Sequence, residues 1–138
     1  MRLKSLAILL FLGVVSAPLE VYASRVEPIY NVVNHPIPAS AQKLPLDVIA
    51  KAIIAGGART QWQIAPGSGG LVGVLNVRDK HQANVAITYS QTSFNITLVS
   101  SSNLLQEGNL IHRNYNRWVR ELERNIADQL AFAGPGAQ

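Results

Sequence analysis

Residues 81–89 read HQANVAITY. His81, Ala83, Val85, Ile87 and Tyr89 fall on one side, and Gln82, Asn84, Ala86 and Thr88 on the other. An extended chain turns successive side chains to opposite faces, so this period of two buries one face of a strand and wets the other. A strand with one wet face belongs to an antiparallel sheet covered on one side only. The flanking sequence agrees. After Ser90-Gln91-Thr92, Phe94, Ile96 and Leu98 alternate with Asn95 and Thr97. Upstream, Asp79-Lys80 turns the chain out of a segment, Leu71 to Arg78, that is apolar on both faces in its first half. Trp62 and Ile64 alternate with Gln61 and Gln63 ahead of the turn cluster Pro66-Gly67-Ser68-Gly69-Gly70. This hairpin spacing predicts an antiparallel meander of three to four strands, with Ser100-Ser101-Ser102-Asn103 starting a polar loop.

Two segments on either side of the meander have helical period. Leu46, Ile49, Ile53 and Ile54 predict a first helix from Pro45 to Ala55, stopped by Gly56-Gly57. Ile111, Tyr115, Trp118, Val119, Leu122, Ile126 and Leu130 form the apolar face of a long final helix from about Leu110 to Ala131. One half-wet sheet and two amphipathic helices predict an α+β two-layer sandwich, both helices on one sheet face. The expected core includes Trp62, Ile87, Tyr89, Phe94, Tyr115, Trp118 and Leu122, with Trp118 the larger anchor and Trp62, in a shorter outer strand, the lesser one.

Ahead of the first helix, residues 24–45 hold four of the seven prolines, which exclude a helix. They predict an extended arm in which Ile29-Tyr30-Asn31-Val32-Val33 forms a short edge strand or covers the open sheet face. Residues 1–23 read as a secretory signal: Arg2 and Lys4, an apolar run from Leu6 to Val15, and Val21-Tyr22-Ala23 before a cleavage after Ala23. That run is too short to span a bilayer, so no transmembrane anchor is expected. The domain plan is a signal peptide over 1–23, an arm over 24–45, an α+β domain over 46–131 and a flexible tail over 132–138. The 138 residues carry no cysteine and a net charge of +4, which excludes a disulfide scaffold and a lipidated N-terminal cysteine.

The pattern Arg78, His81, Ala83, Val85, Ile87, Tyr89, followed by Asn103-Leu104 and by Ile111-His112-Arg113-Asn114-Tyr115-Asn116-Arg117-Trp118-Val119, resembles a family of small, uncharacterised bacterial envelope proteins, many of them lipoproteins. The likeness spans roughly Leu46 to Leu130, and the I-H-R-N-Y-N-R-W string is its specific part. The resemblance implies a Gram-negative periplasmic setting and carries no catalytic residues across. The chain departs from many of these relatives in lacking the lipobox cysteine.

Candidate chemistry is sparse. Arg113, Arg117, Arg120 and Arg124 are spaced 4, 3 and 4 apart, so they share the helix side opposite the Tyr115–Trp118–Leu122 face. They read either as an anion-binding ridge for lipid A or an acidic polymer, or as a solvated helix back laced with Arg117–Glu121, Arg120–Glu123 and Arg124–Asp128 pairs. The interleaved carboxylates favour the second reading and disfavour nucleic acid as a partner. Val72 and Val74, with Ala86 and Val99, predict an apolar strip on the otherwise polar open sheet face, a candidate partner surface. His35, His81 and His112 show no metal-ligand spacing, so no metal and no cofactor are expected. Ser68 lies in a turn between strands rather than in a nucleophile elbow. Asn114 and Asn116, poor helix formers, read as capping and hydrogen-bonding residues at the start of the final helix, or as part of a small polar-aromatic pocket with Tyr115 and Trp118.

The expected function is therefore that of a small soluble exported, periplasmic interaction or binding module, not an enzyme, using the open sheet face or the Arg ridge. An envelope enzyme with a shallow helix–sheet site near His81 and His112 is the rival, for which Asp79 and Glu107 are the available carboxylates.

Overall fold

The computed structural model describes Gly13 and residues 25–134. Apart from Gly13, the expected signal peptide, its cleavage after Ala23, and residues 135–138 of the tail lie outside the described residues. Along the chain run β1 (Val26–Pro28), β2 (Val32–Pro36), a 3-10 turn (Ala39–Ala41), α1 (Leu46–Ala58), β3 (Gln63–Gly67), β4 (Gly70–Val77), β5 (His81–Tyr89), β6 (Ser93–Ser102), β7 (Leu110–His112) and α2 (Arg113–Ala133).

Strands β3 to β6 form the meander, each antiparallel to the next. The arm adds β2 antiparallel to β6, so the main sheet has five strands in the order β2-β6-β5-β4-β3. The fifth strand is thus the arm's own, displaced from the Ile29–Val33 expectation to Val32–Pro36. It extends the sheet sideways, with Val32 opposite Ile96, and leaves the open face uncovered. A second, two-stranded sheet joins β1 to β7, pairing Val26 with His112 and Pro28 with Leu110. The expected loop at Ser100–Ser102 is strand instead. Gln82, Ala83 and Asn84 pair with Ser102, Ser101 and Ser100, and a bulge before Val85 absorbs Val99. Ladder pairing overrides the loop preference of serine here.

Alternation gives the two layers. Leu71, Leu75, Ala83, Val85, Ile87, Phe94 and Ile96 are buried beneath the helices, together with Ile49 and Ile53 of α1 and Tyr115, Val119, Leu122, Ile126 and Leu130 of α2. This is the α+β sandwich with helices packed on one sheet face. Three boundaries move. Ile111 is buried but belongs to β7, so α2 starts at Arg113 and runs on to Ala133. The helix α1 does not stop at Gly56-Gly57 but ends at Ala58. A Cβ on Gly56 would lie 2.8 Å from the Cα and N of Ile126, and one on Gly57 would overlap the Ile64 side chain. The glycines are there so that α2 and β3 can approach α1 closely, which outweighs their poor helix propensity.

The two tryptophans exchange their expected roles. Trp62 is 2% exposed. Trp118 packs against the core but keeps part of its ring outside, as does Tyr89. No helix among the described residues is long and apolar enough to cross a membrane.

Candidate functional site

Helix α2 carries most of the candidate groups, and its residues step about 100° around the axis. The core face is one side. Arg113, Arg117, Arg120 and Arg124 stand opposite it, all exposed. Between these sides lie two flanks. One carries Asn116 and Glu123 and meets the arm; the other carries Asn114, Trp118 and Glu121.

On the Arg side, the expected ion pairs are absent. Among the described residues the salt bridges are His35–Glu123 and Lys51–Asp47, and neither involves an arginine. Glu123 is turned away to the arm, which removes the partner expected for Arg120. The Arg120 guanidinium instead sits 4.2 Å from the centre of the Tyr30 ring, a cation–π contact that holds it in place. Arg113, Arg117 and Arg120 line a polar cleft of about 290 Å³ with Glu27 and Asn114. This cleft lies at the first turns of a 21-residue helix, where the backbone dipole also favours negative charge. The expected ion pairs along the helix back are therefore not formed among the described residues, and Glu27 is the one carboxylate that lines the cleft with these arginines.

The arm-facing flank is a polar seam that the sequence did not disclose. Asn116, 1% exposed, is the buried polar residue at its centre. Its Nδ2 donates to the Pro28 carbonyl at 2.9 Å and to Glu27 Oε2 at 3.1 Å, while its Oδ1 accepts from the Tyr30 backbone N–H at 2.9 Å. Two turns further along α2, Glu123 accepts from Tyr30 Oη at 2.7 Å and from His35 Nδ1 at 2.7 Å. His35 stacks on Phe94 with ring centres 4.7 Å apart. The hydrogen bond to Glu123, then burial, raise the Tyr30 phenol pKa above its ordinary value. Both oxygens of Glu123 are occupied by arm residues, and the histidine spends its ring N–H on the same carboxylate. The seam is a latch. The expected capping and hydrogen-bonding role of Asn116 takes this form. The partners sit 86 to 93 positions away, so only the oddity of a helical asparagine marked it in the sequence.

The other histidines lie elsewhere. His81 Nδ1 donates to the Asn103 carbonyl at 2.7 Å, at the end of the sheet. His112 is the N-cap of α2, its Nδ1 accepting from the Asn114 N–H at 3.1 Å. Burial, then the charges of Arg113, His81 and Arg25, lower the His112 pKa. The two rings line a cavity of about 40 Å³ with Leu104, Asn114 and Trp118, which neither Asp79 nor Glu107 lines. Among the described residues no three His, Asp or Glu side chains gather into a metal-binding group. Tyr115 is buried, its hydroxyl unpartnered, and burial drives its pKa far above the ordinary tyrosine value. Ser68 sits in the β3–β4 hairpin, where Gly67 pairs with Gly70.

The open sheet face consists of cross-strand rows. Ala65, Val72, Ala86 and Thr97 form one, and Gln63, Val74, Asn84 and Ser100 the next. Val72 is 39% exposed, whereas Val74 is half-buried. Val99 is the bulged residue and stands outside both rows. No charged residue belongs to either row. The chain matches no known family model, no curated protein and no solved structure.

Proposed function

We propose that the protein is an exported, periplasmic binding module without enzymatic activity, which docks a polyanionic envelope component through Arg113, Arg117, Arg120 and Arg124. One observation carries this reading: four guanidiniums share an exposed helix face, and among the described residues none of them forms a salt bridge. Guanidinium forks recognise phosphate and carboxylate oxygens in pairs, and a row of them attracts a polymer of such groups. The signal-like order of the first 23 residues and the resemblance to envelope proteins support the compartment. Phosphorylated lipid A and an acidic polysaccharide offer the same chemistry to the ridge.

Co-sedimentation with vesicles tests the reading. Wild-type protein should pellet with phosphatidylcholine vesicles that carry lipid A and stay in solution with phosphatidylcholine alone. The variant with all four arginines changed to glutamine should stay in solution with both. Equal pelleting of wild type and variant overturns the proposal. Soluble acidic polysaccharide that releases wild-type protein from the vesicles would identify the shared anion site.

A further inference from the structure

Three cavities meet at Gln61. One, of about 310 Å³, lies against the Trp118 flank of α2, where the half-buried Trp118 ring and the Leu75 and Val77 side chains give it apolar walls. Its polar groups are Arg59, Gln61 and Glu121. The hydroxyl of Thr60, also at this site, is spent on the Gly56 and Gly57 carbonyls. A second cavity, of about 460 Å³, continues from Gln61 along Gln63 and Ile64 at the free edge of β3. A third, of about 210 Å³, passes onto the open sheet face, where its polar lining is the amides of Gln61, Gln63, Asn76 and Gln82.

The backbone at the junction is strained. Trp62 N–H reaches back to the Gly57 carbonyl at 3.0 Å, closing the end of α1, with Gln61 at the left-handed position (φ 66°) that glycine ordinarily fills. A residue with a side chain pays a conformational cost there. This places Gln61, which lines all three cavities, at their junction.

We propose that this groove binds a neutral oligosaccharide, one ring against Trp118 and further rings passing Gln61 toward the Gln63–Asn76–Gln82 amides. The chemistry selects that class. Arg59 and Glu121 share the cleft without forming a salt bridge, so their charges cancel in sum while their hydrogen-bonding positions stay open. Arginine offers donors only, an ionised carboxylate acceptors only, and an amide both, which matches hydroxyl groups that donate and accept. A half-buried indole beside them offers a flat apolar face to the C–H side of a sugar ring. A volume near 310 Å³ lies at the lower end of small-molecule sites. The groove lies on the flank of α2 away from the arm and is independent of the Arg ridge.

Isothermal titration with triacetylchitotriose and with cellotriose, both neutral, tests the proposal. At least one should give a saturable heat with wild-type protein and with the four-arginine variant. Gln61→Gly should raise the midpoint of thermal unfolding, because the left-handed strain is removed, and weaken the same binding at least tenfold. Trp118→Phe, which keeps an aromatic ring, should weaken it less than Trp118→Leu. The proposal is overturned if neither sugar gives a saturable heat, if Gln61→Gly binds as tightly as wild type, or if glycylglycine binds where the sugars do not, since that would make the cleft a zwitterion site.

Discussion

The backbone N–H of Tyr30 donates to Oδ1 of Asn116 at 2.9 Å, joining the arm to a helix residue 86 positions further along the chain. With the bonds from Asn116 to Pro28 and Glu27, it makes the arm an integral part of the fold. It also fixes Tyr30 under Arg120, so the same asparagine braces the Arg ridge at that residue.

Asn116→Ala should therefore destabilise the protein by about 1–3 kcal/mol, since it leaves the Pro28 carbonyl and the Tyr30 N–H without partners in a buried seam. Urea unfolding measures the loss. Hydrogen exchange at the Tyr30 amide should accelerate more than exchange at strand β5. Unchanged protection at Tyr30 would show that the arm is held by something other than this residue.

Gly56→Ala should destabilise by about 1–3 kcal/mol through overpacking. Helix propensity alone predicts the opposite sign, a gain of about 1 kcal/mol. The Ile126 backbone, 2.8 Å from the new Cβ, cannot move without separating α2 from α1. A raised urea midpoint for Gly56→Ala would mean the two helices are further apart than described.

Trp62→Ala should cost about 3–5 kcal/mol, as for a fully buried ring, and Trp118→Ala clearly less. Burial sets this order, since Trp62 is 2% exposed and Trp118 only half-buried. Equal shifts in the two urea midpoints would contradict the packing of α2.

The meander strands and both helices were legible in the sequence because their burial pattern is local: His81 to Tyr89 alternates, and Tyr115 to Leu130 keeps the helical period. What local pattern cannot carry is a partner far along the chain. Glu27, Tyr30, His35 and Glu123 each look like ordinary surface residues until β1 and β2 bring the arm against α2. The same long-range choice misled the reading of the Arg side, because Glu123 was counted as a partner for Arg120 and is consumed by His35 and Tyr30. Gly56-Gly57 misled in another way. Propensity marks a stop there, but close approach to Ile126 and Ile64 decides the position.

The N-cap of α2 should respond to pH. The His112 pKa is lowered by burial and by the neighbouring charges, and its Nδ1 can accept from Asn114 only when unprotonated. Between the lowered value and the ordinary one of about 6.5, the unfolded chain binds more protons, so stability rises with pH across that window. The contribution is complete above about pH 6.5 and is lost as the pH falls through the folded value. His112→Asn keeps a capping acceptor without the titration. The thermal midpoint of wild type relative to this variant should fall from about pH 8 to about pH 5. A constant difference would show that the ring does not titrate in that range.

The proposed docking requires that the four arginines form a specific anion-binding surface rather than part of a general positive charge. Its most direct test is the salt concentration that elutes three proteins from immobilised heparin: wild type, the variant with Arg113, Arg117, Arg120 and Arg124 changed to glutamine, and a variant with Lys43, Lys51, Arg78 and Lys80 changed to glutamine. Both variants lose the same four charges, all exposed, and salt sensitivity grows with the number of anionic contacts neutralised. The ridge variant should elute at much lower salt while the other variant stays close to wild type. Co-elution of the two variants would contradict it.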